Sequence, residues 1–467
     1  MRGVPLERYT SARRLRSDLT GRGLGSESAR ALSELFAQCA ARARDMGMAG
    51  GRRVHGWYVP GRIEVLGKHT DYAGGSSVLA ATERGFCFLL APGGGPALSI
   101  LDAGREEAIS FPVAPDLEPE TENWASYPMT AARRLARDFG PDLRGGRLVF
   151  ASNLPPASGM SSSSAFITGT VLTLADRNGL TTGERWRRVF PDRETVADYL
   201  GAVENGRSFG PLGGDTGVGT RGGSEDHTAM MCAVPGRLVR YAYAPVRLED
   251  RLPMPPKTVF AVASSGVPAR KTGSARERYN EAADRMEMLL EVWNRSVEVA
   301  APHIGTVLEG GSRSEERLQE AITDHAPAGM QAVLRDRLEH FRAEQTEILP
   351  TASTALREGD METFGRTVER SMGLAEDLLG NQVPETVCLA EEAYRLGAAA
   401  ASAFGAGYGG SVWALVGTGE AASFLQRWRS SYADRFPERL AGARFFITGA
   451  GPPALRPLIE DREGAVP

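Results

Sequence analysis

The chain has 467 residues and a formal net charge of −4, with 42% hydrophobic and 24% charged residues. That length is more than one small core organises, so two or three domains are expected. The near-neutral balance argues against a nucleic-acid surface, and the absence of any run of about eighteen apolar residues argues against a membrane-spanning helix.

In chain order, residues 1–50 carry an amphipathic helical pattern from Glu27 to Met46. The opening "MRGVPLERYTSARRLRSDL" has basic residues but no apolar core, so it does not read as a secretory signal. "GWYVPGRIEVLG" and "VLAATERGFCFLLAP" read as strands. "NWASYPMTAARRLARDFG" has helical spacing, "GGRLVFASNLPP" is a strand ending in prolines, and "SSSSAFITGTVLTLADRNG" is a helix closed by glycine. Pro245 to Pro256 is a Pro-rich boundary. "KTVFAVASSGV" restarts as a buried strand, 275–395 is dominated by helical periodicity, and "ARFFITGAG" looks like a final strand. The reading is α+β, divided into a helical extension (1–50), a strand-rich domain (51–250) and a helix-rich domain (251–467). Cys39, Cys87, Cys232 and Cys388 are far apart and without zinc spacing, as expected of reduced core thiols in a cytoplasmic protein.

The stretch "GRIEVLGKHTDYAGG" (Gly61 to Gly75) nearly spells a Walker A loop. Five residues separate Gly61 from Gly67, however, and His69 follows Lys68 where a Ser or Thr is needed. "NLPPASGMSSSSAF" takes a strand through a Gly/Ser loop into a helix. Orphan N–H groups and the helix dipole there suit a phosphate, although a solvated capping loop has the same composition. "AFGAGYGGSVWALV" places four glycines in six residues, which suits either a close backbone approach or a tight turn. Between them lie Glu204 and Asp226, a pair that suits one metal ligand and one base; an Asp near glycines is also a common turn residue.

Taken together, these segments resemble the GHMP kinase superfamily and, within it, the galactokinases. "PGRIEVLGKHTDYAGG" is similar to the signature P-G-R-x-N-L-I-G-E-H-T-D-Y-x-G-G, and "PPASGMSSSSA" to the phosphate loop P-x-G-G-G-L-S-S-S-A. "GGSEDHTAM" stands in the place of G-x-M-D-Q, and "AFGAGYGGS" in that of T-G-A-G-F-G-G-C. The resemblance implies an N-terminal domain of ribosomal-protein-S5-like fold and a C-terminal ferredoxin-like α+β domain. It also implies ATP and Mg²⁺ as cofactors and a small-molecule sugar or sugar phosphate as substrate. No nucleic-acid or membrane partner is implied, and the chain is expected to be a monomer or homodimer.

Carried over by position, Asp226 would be the base that takes the proton of the anomeric hydroxyl. Arg62 would lie beside it and stabilise charge on the transferring phosphoryl group. Pro156, Gly159, Met160, Ser161, Ser162, Ser163 and Ser164 would form the phosphate loop, with Trp124 and Tyr127 near the adenine. Ser163 and Glu204 would ligate Mg²⁺, with Asp215 the next candidate should Glu204 fail. His69, Asp71, Tyr72, Gly223, Gly405 and Gly407 would surround the sugar, and Tyr279 would join them if its stretch carries a short insertion.

The departures matter as much. The signature Asn is Glu64, Glu225-Asp226-His227 replaces Met-Asp-Gln, and about ten extra residues separate Glu204 from Asp226. The sugar-binding glutamate is Lys68. Of 54 basic residues only Lys68, Lys257 and Lys271 are lysine, so a retained lysine is informative. A lysine cannot accept a hydrogen bond. It suits an anion on the far end of the sugar, with Lys271 and Arg276 expected at the same pocket. The implied reaction is phosphorylation of the C1 hydroxyl of a heptose or octose phosphate to a 1,ω-bisphosphate, feeding nucleotide-sugar or secondary-metabolite sugar biosynthesis. The bland alternative is that Lys68 turns outward or pairs with Glu64 or another acid. Galactokinase or another neutral-sugar 1-kinase, a non-catalytic sugar sensor and a non-sugar GHMP kinase are the competing functions. The intact serines disfavour the sensor, and H-T-D-Y-x-G-G disfavours the non-sugar enzyme.

Overall fold

The computed structural model of the chain describes residues 3–105, 107–120, 123–269 and 274–459. An eight-stranded sheet organises the N-terminal half. Its strands are β1 (Val4–Pro5), β2 (Arg53–Leu66), β3 (Ser76–Pro92), β4 (Ala97–Asp102), β5 (Ala108–Pro112) and β6 (Gly146–Ser152), in spatial order β1-β2-β3-β6-β4-β5. β7 (Arg237–Ala242) pairs with the start of β3, and β8 (Arg247–Pro253) pairs with β7. All pairings are antiparallel except β4 with β6.

Both faces of this sheet are covered, so β2 and β3 are buried almost throughout rather than alternating with solvent. The two-residue period still sorts side chains. Tyr58, Cys87 and Leu89 face one core, while Trp57, Val59, Phe86 and Phe88 face the other. The first core lies under α1 (Ala12–Gly21) and α2 (Ser26–Asp45), which contribute Leu15, Leu32, Phe36 and Cys39. Residues 3–50, within the segment read as an extension, are therefore a structural layer of the domain: β1 extends the sheet and α2 closes its back. The chain end returns to the same core through Leu455, which pairs with Tyr58. The second face carries α3 (Ser126–Phe139), α4 (Ser162–Arg177), α5 (Glu184–Val189), α6 (Arg193–Asn205) and α7 (Glu225–Cys232). All four cysteines are free and buried.

The Pro-rich stretch is not all linker, because β8 lies inside it and only Met254 to Lys257 crosses to the second half. There β9 (Thr258–Ser264), β10 (Ala400–Phe404), β11 (Ser411–Gly417) and β12 (Arg444–Thr448) form an antiparallel sheet in order β10-β11-β9-β12. Between β9 and β10 run α8 (Ser274–Ser296), α9 (Ile304–Leu308), α10 (Ser312–His325), α11 (Gln331–Ala343), α12 (Leu349–Glu358), α13 (Met361–Leu374) and α14 (Pro384–Arg395). α14 and α15 (Ala421–Arg435) pack on the small sheet through Leu389, Phe424 and Trp428. A π turn, Glu344–Ile348, joins α11 to α12. Among the described residues no helix is long and apolar enough to cross a membrane.

Candidate active site

β6 leads into the loop that opens α4. Ala157, Gly159 and Ser161 alternate in left-handed conformation at φ 50°, 76° and 59°. Alternation of this kind turns successive amide N–H groups to one side and forms an anion nest, which the N-terminus of α4 extends. Two of the three are not glycine, so the loop stores strain of roughly 1–2 kcal/mol at each such residue. The surroundings hold it in place. Arg62 Nη1 donates to Gly159 O (2.9 Å), Ser411 Oγ to Ser158 O (2.7 Å) and the Ala269 amide to Ala157 O (2.8 Å). The glycine-rich turn after β10 permits this contact. A Cβ on Gly405 would lie 2.8 Å from Gly159 O, and one on Gly407 would lie 2.3 Å from Asn381 O. Gly405 thus reaches the cleft, whereas Gly407 packs against Asn381.

Beside the loop lies a cavity of about 220 Å³ walled by Phe86, Trp124, Tyr127, Phe150 and Phe166, with Ser162 and Ser163 at its mouth. Its flat apolar walls next to an anion nest fit a nucleotide base and its phosphates. On the other side of the loop is a carboxylate-lined cleft. The Ser164 hydroxyl sits 2.7 Å from Glu204 Oε2 and 3.2 Å from Asp226 Oδ2. Arg62 Nε lies 2.7 Å from Asp226 Oδ1 and 3.5 Å from Glu225 Oε1. His227 Nε2 contacts Glu204 Oε2 at 2.8 Å, and its Nδ1 meets Thr168 Oγ1 at 3.0 Å.

The segment between Glu204 and Asp226 folds back on itself. The Val218 amide donates to Glu204 O, the Asp215 amide to Gly206 O (both 2.8 Å), and Asp215 pairs with Arg133 at 3.0 Å. This closed excursion absorbs the extra residues and lets both carboxylates meet one serine. It also occupies Asp215 away from the cleft.

The sugar-side residues form a relay. Arg337 Nη2 donates to Tyr72 Oη (3.1 Å), Tyr72 Oη contacts His69 Nδ1 (3.0 Å), and His69 Nε2 contacts Ala406 O (3.2 Å). Because a carbonyl only accepts, His69 carries its proton on Nε2. Asp71 accepts from the Glu225 amide (3.2 Å), and Tyr279 lies 5.6 Å from the His69 ring. His69, Asp71, Tyr72, Gly223, Tyr279 and Gly405 all line the cleft with Arg62, Glu204 and Asp226.

Family models match this chain in three places: GHMP kinases N terminal domain over residues 126–211, the galactokinase galactose-binding signature over 48–92, and GHMP kinases C terminal over 352–434. The chain belongs to the GHMP kinase superfamily. Within it the chain is galactokinase-like. It is 25% identical over 399 residues to a galactokinase of Halalkalibacterium halodurans, covering 85% of this chain and 91% of the relative. It is 25% identical over 397 residues to one of Lacticaseibacillus casei, covering 82% and 90%. The crystal structure of Lactococcus lactis galactokinase complexed with galactose aligns at TM-score 0.71 with 20% identity, over 89% of this chain and 99% of that one. The Methanococcus jannaschii mevalonate kinase structure shares the fold at TM-score 0.51 and 13% identity, over 86% and 99%.

Within this GHMP kinase fold the sequence expectations separate. Trp124, Tyr127, Ser162 and Ser163 gather at the aromatic cavity, and Tyr279 reaches the cleft. The metal serine needs correction. Ser164, one position on, faces Glu204, while Ser163 faces the aromatic cavity. A helix advances about 100° per residue, so one step turns the hydroxyl from one pocket to the other. A hydroxyl and a carboxylate facing the anion nest fit Mg²⁺, which accepts a few protein oxygens and keeps waters and phosphate oxygens for the rest. Met160 is buried and packs in the core instead of facing a pocket, and Pro156 is exposed.

Lys68 also needs correction. Gly67 and His69 are both left-handed, at φ 94° and 56°, and they turn Lys68 inward. Lys68 is 1% exposed and does not line the cleft. Its Nζ donates to Ser371 Oγ (3.2 Å), whose hydroxyl donates to Glu344, and Glu344 accepts from the Gly67 amide (3.1 Å). The π turn delivers Glu344 to this point. Burial raises the Glu344 pKa, which Lys68 and Ser371 oppose. Lys271 and the side chain of Arg276 lie outside the described residues.

Glu64 and Glu225, the two acids foreign to the family pattern, meet here. Their side chains hydrogen-bond to each other on either side of Arg62, at 3% and 5% exposure. Burial raises both pKa values, that of Glu225 well above its ordinary value; the Glu64 and Asp71 charges add to the rise at Glu225, whereas at Glu64 the rise is opposed by Arg62, Lys68 and the bond from Glu225. Burial also opposes the Arg62 charge, but Asp226, Glu225 and Glu64 outweigh it and raise its pKa. Nothing in the sequence marked Glu344, Ser371 or Arg337 as site residues, since isolated polar residues on helices have no pattern to betray them.

Three outcomes follow from this geometry. Ser164→Ala should raise the Mg²⁺ concentration for half-maximal turnover by roughly tenfold or more, while Ser163→Ala should not; a Mg²⁺ titration of ADP release separates the two. Lys68→Met should leave Glu344 buried without its cation and cost about 3–5 kcal/mol in urea unfolding, with Lys68→Met/Glu344→Gln closer to wild type and sugar preference unchanged in that double variant. For the acid pair the folded pKa is raised. The folded chain therefore keeps a proton that the unfolded chain releases near 4.5, and stability falls as pH rises above that value. Glu225→Gln should consequently resist urea better than wild type at alkaline pH, with the gap closing toward acid pH.

Proposed function

We propose that the chain phosphorylates the anomeric hydroxyl of a sugar at the expense of ATP. The observation that carries this reading is one serine hydroxyl between two carboxylates at the start of α4, with Arg62 on the second carboxylate. GHMP kinases use ATP, and the aromatic cavity supplies a seat for its base. Mg²⁺, held by Ser164 and Glu204, would neutralise phosphate charge there. Asp226 accepts the hydroxyl proton on the oxygen not engaged by Arg62. Arg62 fixes the Asp226 carboxylate and, through Gly159 O, ties it to the phosphate loop, so base and donor keep one spacing. His227 orients Glu204 by its ring N–H. Asp71, held by the Tyr72 and Glu225 amides, keeps carboxylate lone pairs for the sugar hydroxyls, while His69, with both ring nitrogens engaged, fixes the shape of the wall beside it. Positioning and electrostatics are most of what phosphoryl transfer requires.

Likeness to named galactokinases makes galactose the first sugar to try. The reading of Lys68 as a phosphate anchor has lost its footing in this cleft, because the ammonium is turned into the core. Arg62 is the only Arg or Lys lining the cleft among the described residues, and it is held by carboxylates. The reacting end of the substrate is therefore an uncharged polyol. A non-catalytic sensor is disfavoured by the complete set of Ser164, Glu204, Arg62 and Asp226. A coupled ADP-release assay over a panel of free sugars and sugar phosphates tests the proposal. Asp226→Asn should lose at least ~10²-fold in kcat with ATP affinity little changed; near-normal turnover by that variant would remove Asp226 as the base.

A further inference from the structure

The cleft at Asp226 is small, about 40 Å³. That is about a tenth of the room in the chamber beyond it, enough for the hydroxyl-bearing edge of a sugar. Tyr72, Asn205 and Gly222 are shared with a second chamber of about 390 Å³, which reaches toward α8 and α9. The body of a substrate whose edge meets Asp226 has its room there.

The three shared residues are saturated among themselves and their neighbours. Asn205 Oδ1 accepts from the Gly222 amide and Thr220 Oγ1 (both 2.8 Å), and its Nδ2 donates to Gly201 O and Gly223 O (2.9 and 3.0 Å). The Tyr72 hydroxyl is bound by Arg337 and His69. The passage therefore offers shape rather than recognition.

Recognition falls to the chamber walls, whose polarity is opposite to that of the cleft. The cleft presents Glu64, Asp71, Glu204, Glu225 and Asp226. The chamber presents Arg207, Arg221 and His303, against Glu287. Arg221 is engaged by Asp284 and lies 3.7 Å from Glu287. Arg207 has no carboxylate partner among the described residues. Its one side-chain bond runs to Gly222 O (2.7 Å), which aims the guanidinium along the chamber wall three residues after Glu204. Burial and the neighbouring Arg207 charge both lower the His303 pKa, so this imidazole is a neutral donor beside a cation. A planar guanidinium with donors to spare is the side chain best matched to a phosphate or carboxylate.

We propose that this chamber is the subsite for the far end of the substrate, and that it takes an anionic group, a phosphate or a carboxylate, carried on an extension of the sugar and met chiefly by Arg207. The proposal rests on the sugar 1-kinase reading and adds the charge and reach of the substrate to it.

The test compares kcat/KM for six- and seven-carbon aldoses, their terminal phosphates and the matching uronic acids, in wild type, Arg207→Ala and Arg207→Ala/Arg221→Ala. The phosphate and uronate arms separate the two sources of the anion. Wild type should favour an anionic sugar over its neutral parent by roughly tenfold or more, and Arg207→Ala should lower the anionic substrate by roughly ten- to hundredfold while leaving the neutral parent within about twofold. Calorimetric binding of each phosphorylated sugar and its neutral parent, without ATP, reads the same contrast when turnover is absent. No turnover with any sugar would overturn the kinase reading. Equal or stronger binding and turnover of the neutral parent, or an equal effect of Arg207→Ala on both, would overturn this one.

Discussion

Arg62 is the constraint on which the rest of the site depends. Its guanidinium is buried among Asp226, Glu225 and Glu64, its Nη1 holds the carbonyl of Gly159, and it lies 5.8 Å from the Phe404 ring. One side chain thus joins Asp226, the loop before α4 and the second domain. A buried cation of this kind is tolerable only because several acceptors surround it. Removing it would leave like charges facing each other and free a loop whose left-handed residues need external restraint. β2 can supply Arg62 because register shifts on either side of the pair Arg62/Glu64 bend the strand toward the cleft, a device common next to active sites.

The exchange of charge at position 68 shows how such a network absorbs a change without surrendering the site. A lysine in a cleft full of carboxylates would have neutralised the acids proposed here as metal ligand and base. Instead it is withdrawn by two left-handed residues and matched with Glu344 across Ser371. Meanwhile Glu64 and Glu225 bring new acid to the cleft wall, and burial raises the pKa of both. Position 68 is thereby structural, and the polarity of the pocket is set by residues far from it in sequence.

Much of the fold was legible because it rests on local patterns. The apolar runs of β2, β3 and β9 and the serine run opening α4 fell where spacing and capping placed them, within a few residues. The placement of the candidate groups was legible through the motif resemblance: Arg62, Glu204 and Asp226 lie together despite the extra loop between the last two. What was not legible depends on rotation and on distant partners. Ser163 and Ser164 are equivalent as letters, and only the helix phase at Ser162 decides which meets Glu204. Lys68 read as a ligand because its charge is visible in sequence and its direction is not; that direction comes from φ at Gly67 and from an acid 276 residues away, on a π turn that no periodicity announces. The role of residues 1–50 was hidden for a related reason. An amphipathic helix declares that it has a partner, but not that the partner is the back of the catalytic sheet.

That back layer bears on the chemistry through the strands it covers. Cys87 of β3 meets α2 and Tyr58 of β2 lies in the same back core, while Arg62 and Glu64 leave β2 toward the cleft. Strand register is firmly set wherever a face is buried, and both faces of this sheet are buried. α2 packs on β3 and β6 and α4 on β2 and β3, so β2 is held on its front by α4 and along its length by its pairing with a β3 that is covered on both faces. The strained loop before α4 leans on Arg62, and Arg62 leans on this strand. The N-terminal helices make no contact with the reacting groups, yet they belong to the structure that keeps Asp226 and the phosphate loop at a fixed distance.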